Sequence, residues 1–303
     1  MSKPRDPGEL YPHHVFLHPA HDRNARRTWW VVALTLVTMV VEVAAGYMFG
    51  SMALLADGFH MATHAGALAV AAAAYAYARR NAHDPRFSFG TGKVGDLAGF
   101  ASALILAFAA LGIGGESVAR LVQPGRVAFM EAALVAALGL VVNIVSAVLL
   151  WDDHHHGHDH DHGHSPGRDN NLRAAYIHVL ADALTSVLAI AALLAGRYLG
   201  WVWLDAAVGL VGAVIILRWS WSLMRDTAAV LLDAVDAPLL AEVRERVEGP
   251  GDVRIIDLHV WRVGPDAFAA IVSVIGGDDT DTAAIRARME GIPRLAHVTV
   301  EHH

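Results

Sequence analysis

Six stretches of the chain are apolar over the length that a bilayer demands: Trp29–Phe49, Ser51–Tyr77, Leu97–Val122, Val127–Trp151, Leu172–Leu199 and Trp203–Leu217, the last with an amphipathic extension. About 20 mostly apolar residues in a helix cross the hydrocarbon layer, so the pattern predicts six transmembrane helices. After about residue 236 the pattern becomes that of a small soluble domain. Pro238–Val247 reads as a helix with its charges on one face. Val253–Val263 and Phe268–Ile275 read as strands around a Gly-Pro-Asp turn, Thr280–Met289 as a second helix and His297–His302 as a last strand. The order α-β-β-α-β predicts a two-layer cytoplasmic α+β domain, two helices on one three-stranded sheet.

Composition agrees with a membrane protein: 55% of residues are hydrophobic and only 17% charged, and mean hydropathy is +0.40. The expected organisation is a histidine-containing tail over 1–28, a six-span domain over 29–226 with a histidine-rich loop at 152–168, and the α+β domain over 237–303. The tail is polar and no apolar signal core follows Met1, so the first apolar run is expected to be a retained span. Lys and Arg set the orientation. Eleven stand before span one and in connections two and four, against Arg120, Arg126 and Arg197 on the other side. By the positive-inside rule both termini are cytoplasmic, and a multi-pass protein of the bacterial inner membrane is expected.

A formal charge of −7 argues against a nucleic-acid partner. The chain has no cysteine, which removes thiolate chemistry and leaves histidine and carboxylate as strong metal ligands. Span two reads LLADGFHMATHAGALAVAA and places His60 and His64 four residues apart, on one helical face. Span five reads AAYIHVLADALTSVLAIAA, with His178 and Asp182 at the same spacing. Two helices crossing at these points bring together three imidazoles and one carboxylate, a four-ligand set suited to tetrahedral zinc and acceptable to cobalt(II) or nickel(II). Ionisable groups at membrane depth are costly and tend to mark ion pathways.

Asp57, one turn before His60, is an accessory candidate as ligand or proton carrier. Glu42, Asp96 and Glu116 read as interface or helix-packing residues, with proton relay as the alternative. Connection four carries His154, His155, His156, His158, His160, His162 and His164 among aspartates, a tract whose composition fits metal capture near a pore mouth. His13, His14, His18 and His21 in the tail have similar capacity. His259 and His297 alternate with apolar neighbours and read as strand-face residues.

The order of six spans, HMATH and HVLAD in spans two and five, RFSFGTGK after span two, the histidine-rich fourth connection and DLHVW opening the first strand resemble the cation diffusion facilitator family, from about residue 29 onward. The resemblance implies proton-coupled efflux of a divalent ion from the cytosol by a homodimer, with His60, His64, His178 and Asp182 as the transport-site ligands. Members usually carry aspartate where His64 stands, and this departure is most similar to the cobalt/nickel branch. It leaves cobalt, nickel, zinc or iron(II) as the transported ion, with no cofactor. An additional site known in connection two has Thr91 and Phe87 at its positions here, so it is expected to be absent. For an accessory C-terminal site the family resemblance points to Glu301 and to the terminal His302 and His303, while Ile256 replaces a histidine ligand.

Neutral imidazole binds either a proton or a metal, so the two compete for the same nitrogen, which is a physical route to antiport. The chain contains no G-x-x-x-x-G-K-[ST] loop for a nucleotide, and no HExxH or G-x-S-x-G motif for a hydrolase. A secondary active transporter, not an enzyme, is the expectation. Two rivals remain on the residues alone. A membrane di-iron oxygenase needs several ordered histidine boxes, of which only His60/His64 is present. A membrane-anchored metal buffer leaves the ionisable groups of two separate spans without a purpose.

Overall fold

A computed structural model describes residues 25–82, 84–151, 166–277 and 281–303, with side chains described except at 25–32, 63–65, 67–69, 71, 146–151 and 166–182. Long helices α1 (Ala25–Phe49), α2 (Met52–Arg80), α3 (Val94–Val122), α4 (Phe129–Trp151), α5 (Pro166–Leu199) and α6 (Trp203–Leu231) come first. They are followed by α7 (Ala237–Glu248), β1 (Val253–Gly264), β2 (Ala267–Gly276), α8 (Thr282–Met289) and β3 (Leu295–His302). α3 and α6 are each long and apolar enough to cross a membrane, and Ala33–Phe49, Phe129–Val145 and Ala183–Leu199 are shorter apolar stretches. The amphipathic extension after Leu217 continues as helix to Leu231 without a break. α5 starts at Pro166, a residue whose fixed φ and missing N–H suit a first helical turn.

The described chain forms two compact units, one from residues 25–70 and 101–224, the other from 71–100 and 225–303. In the first, the buried positions are mostly small: Ala45, Ala53, Ala56 and Ala136 among them. The outward positions are large and apolar, with Ile105 68%, Phe108 67% and Leu138 66% exposed. A water-soluble bundle has the reverse arrangement. Small residues inside and large apolar ones outside are what helices need when packing, rather than hydrophobic collapse, holds them together in lipid.

Glycine permits the closest approaches. A Cβ on Gly209 would lie 2.6 Å from the Met52 Cβ, and one on Gly212 would lie 2.7 Å from the Ala56 Cβ, so α6 runs against α2 backbone to backbone. The α1–α2 corner turns at Gly50 (φ +69°). Its carbonyls are taken up: Gly50 accepts from the Arg120 guanidinium, and Phe49 accepts from the Ala128 amide at 2.9 Å.

In the second unit the sheet order is β1-β2-β3, with β1 and β2 antiparallel and β2 and β3 parallel. The two helices cover one face, burying Leu239, Val243, Val247, Ile285 and Met289 against Val260, Val272 and Val274. Each helix has an aspartate N-cap: Asp236 accepts from the Leu239 amide at 3.0 Å and Asp281 from the Ala283 amide at 2.9 Å. The α-β-β-α-β order expected of residues 237–303 is therefore present, each element within about two residues of its expected bounds.

The segment after α2 belongs to the same unit as this sheet. Phe89 sits edge-on to Trp261 (5.7 Å between centroids) and to His297 (5.6 Å). A Cβ on Gly92 would collide with the Val263 carbonyl, and Lys93 pairs with Asp233 beyond the end of α6. Thr91, expected to replace a metal ligand, is buried and donates its hydroxyl to the Ala78 carbonyl at 2.8 Å.

Candidate metal site

α2 can begin inside the bundle because its free amides find a carboxylate. Asp205, in the first turn of α6, accepts from the Met52 amide (2.8 Å), the Ala53 amide (3.2 Å) and the Ser51 hydroxyl (2.6 Å). Asp57 and His60 follow one turn apart on one face, and both are 97% buried, each being 3% exposed.

They line a cavity of about 40 Å³ together with Thr185 and Leu188 of α5 and Val208, Val211, Gly212 and Ile215 of α6. Such a space admits a small ion or a water molecule and little more. The walls are apolar apart from Asp57, His60 and Thr185. A cation entering finds a carboxylate and an imidazole in a setting of low dielectric, where charge–ligand interactions are strong. Asp57 Oδ2 accepts from the Ser186 hydroxyl at 2.7 Å, so α2 and α5 are joined at this level. The His60 ring packs against Trp219 at 5.1 Å between centroids, tilted by 44°. That contact limits how the imidazole ring can turn.

Of the four principal ligand candidates the structure describes the side chain of His60. Those of His64, His178 and Asp182 lie outside the described side chains, as does the whole tract from His154 to His164 and the histidines of the tail. Asp57, the accessory candidate, shares the cavity with His60. Ser186 and Trp219 were missed by the sequence reading. Ser186 carried a signal, since it stands four residues after Asp182 and eight after His178, on the same helical stripe. Trp219 carried none, because ring contacts between helices have no sequence spacing.

At the C-terminus, Glu301 accepts from the Ser273 hydroxyl at 2.7 Å, and the His303 ring approaches the same carboxylate at 4.0 Å. His259 pairs with Asp257 at 2.9 Å on the exposed part of β1. Among the described residues no group of three or more histidine, aspartate or glutamate side chains is assembled for a metal.

Residues 28–232 match the family model described as the cation efflux transmembrane domain. The chain is 33% identical over 294 residues to the zinc transporter ZitB of Escherichia coli K12, covering 96% of this chain and 88% of that one. It is 33% identical over 292 residues to the metal cation efflux system protein CzcD of Cupriavidus metallidurans, covering 95% and 85%. To the cadmium, cobalt and zinc/H(+)-K(+) antiporter of Bacillus subtilis it is 27% identical over 247 residues, covering 80% and 76%. A family model across two thirds of the chain, relatives aligned nearly end to end and a buried acid–imidazole cavity in a lipid-adapted bundle agree: this membrane protein is a cation efflux transporter, not an enzyme, with metal as its substrate rather than a cofactor, and it belongs to the cation diffusion facilitator family.

Proposed function

We propose that the chain exports divalent transition-metal ions (zinc, cobalt, nickel or iron(II)) from the cytosol in exchange for protons, through His60, His64, His178 and Asp182. The observation that carries the proposal is the burial of Asp57 and His60 on one face of α2, around a cavity sized for an ion. An apolar bundle has no structural need of an acid and an imidazole there, whereas a permeating cation does. The names of the relatives recommend zinc, cobalt and cadmium as the first ions to offer. Imidazole at His64, where the family commonly has aspartate, adds nickel.

The same reading has six spans within 29–226 and both termini in the cytosol. The 152–168 loop gathers metal at the entrance, and 237–303 serves as a cytoplasmic domain of a homodimer in the inner membrane. Proton coupling follows from competition at imidazole nitrogen: acid on the exit side protonates the ligands and releases the ion there.

The test is metal uptake into proteoliposomes under an imposed pH gradient, offering Zn(II), Co(II), Ni(II) and Fe(II), with wild type beside His60→Ala and Asp182→Ala. Accumulation that needs the gradient and disappears in both variants is the expected result. Wild-type flux in both variants would remove the ligand set, and flux indifferent to the gradient would remove the antiport.

A further inference from the structure

Glu42 stands in the middle of α1, in the apolar run LVTMVVEVAAGYM. Its side chain is fully buried, at 0% exposure, and among the described residues neither carboxylate oxygen has a hydrogen-bond partner. Its base lies against α2, where a Cβ on Gly58 would come within 3.2 Å of the Glu42 Cβ. Its head lies over α4 at Gly139, where a Cβ would collide with Oε1. Only glycine leaves that space open. The carboxylate therefore occupies a recess built for it at the meeting of three helices, and Asp57, which lines the cavity with His60, lies within electrostatic range.

A packing residue would not be a glutamate. A carboxyl group in an apolar interior with no donor must be neutralised by a cation, because an unpaired charge is not tolerated there. α4 carries a single charged residue, Glu131, which is itself acidic and stands about 12 Å along the helix from Gly139, so it supplies no counter-charge. Asp57, the acidic neighbour on α2, only adds to the demand for positive charge.

We propose that Glu42 is a second cation station of the transport cycle, a carboxylate that takes up and gives up a cation in step with the cavity at Asp57 and His60. The cation is either a proton of the driving gradient or the divalent ion in passage. Both bind through the same oxygens, and experiment separates them. The inference rests on the chain being a metal exporter.

Wild type and Glu42→Gln, a neutral residue of the same shape, are reconstituted and compared in zinc flux under a pH gradient and in zinc bound per chain by equilibrium dialysis. The expected result is a flux lower by about 10-fold or more in Glu42→Gln. An unchanged zinc count then identifies the proton, and a count reduced by one identifies the metal. Wild-type flux and zinc count in Glu42→Gln overturn the station while leaving the exporter intact. A wild-type protein that moves no metal overturns the exporter itself.

Should the variant fail to fold, dicyclohexylcarbodiimide labelling of the wild-type protein, read by mass spectrometry, decides the question. Labelling of Glu42 that falls at high pH or with added zinc supports the station. Labelling that is absent, or indifferent to both, overturns it.

Discussion

The Asp205 carboxylate of α6 accepts the Met52 amide of α2 at 2.8 Å, so the amino terminus of one helix is capped by a side chain 153 residues away. The same carboxylate holds the Ser51 hydroxyl, whose oxygen in turn accepts from the Leu54 amide at 3.1 Å. One buried acid thus satisfies the start of the helix that carries Asp57 and His60.

Removing that acid strands several buried donors at once. Asp205→Ala is expected to cost about 3 kcal/mol, from the loss of a cap and of charge-assisted bonds. Asp205→Asn, which keeps one acceptor oxygen, is expected to cost less. Thermal unfolding in detergent, followed by tryptophan fluorescence, checks the order.

Close packing of α6 on α2 makes a second prediction. A methyl group at Gly209 would press on the Met52 Cβ at 2.6 Å and on the Met52 carbonyl carbon at 2.9 Å, and Gly209→Ala is expected to cost about 1–3 kcal/mol by overpacking. Gly115 on α3 has nothing within 4 Å of a Cβ. Gly115→Ala is expected to leave the melting temperature unchanged or raise it, and equal damage from both substitutions would contradict the packing argument.

Lys93 and Asp233 form an ion pair whose side chains are 29% and 53% exposed. Water screens such a pair, so a double-mutant cycle with Lys93→Ala and Asp233→Ala is expected to return a coupling of only about 0.5–1 kcal/mol. A coupling near zero would mean that the neighbouring Phe89 and Gly92 contacts, not the charges, hold the segment to the sheet.

The pH dependence of the C-terminal unit has a calculable sign. Hydrogen bonds from the Arg288 guanidinium, one of them 2.9 Å long, hold the Asp252 carboxyl below the usual carboxylate range. A folded-state value below the unfolded one, about 3.9, means stability present above that pH and lost as pH falls through the folded value. Acid titration of urea unfolding should show this loss in wild type and lack it in Asp252→Asn.

Much of the architecture was legible along the chain because its signals are local. Six apolar runs and the change of pattern after residue 236 placed the long helices and the elements of the sheet to within a few residues, α5 excepted, which starts at Pro166 rather than Leu172. The amphipathic extension expected after Leu217 is helix to Leu231, because Arg218 and Arg225 leave the apolar run without breaking the helix. His60 was legible as one of two imidazoles four residues apart in an apolar helix, and Asp57 as its neighbour one turn away. Glu42 was visible as a charge in a span, read as an interface or packing residue with proton relay as the alternative. A sequence records that a carboxyl is present, not whether a donor waits opposite it.

By itself the sequence determined which segments are helical, that they are too apolar for water, and that only histidine and carboxylate can bind metal, since these depend on residue type and on spacing within one element. Tertiary structure alone decided that Asp57 meets Ser186, that His60 meets Trp219, that Asp205 caps α2 and that Gly139 opens a recess for Glu42. Each joins residues distant in the chain. Such meetings are set by how closely two helices can approach, and that depends on the small residues of both surfaces together.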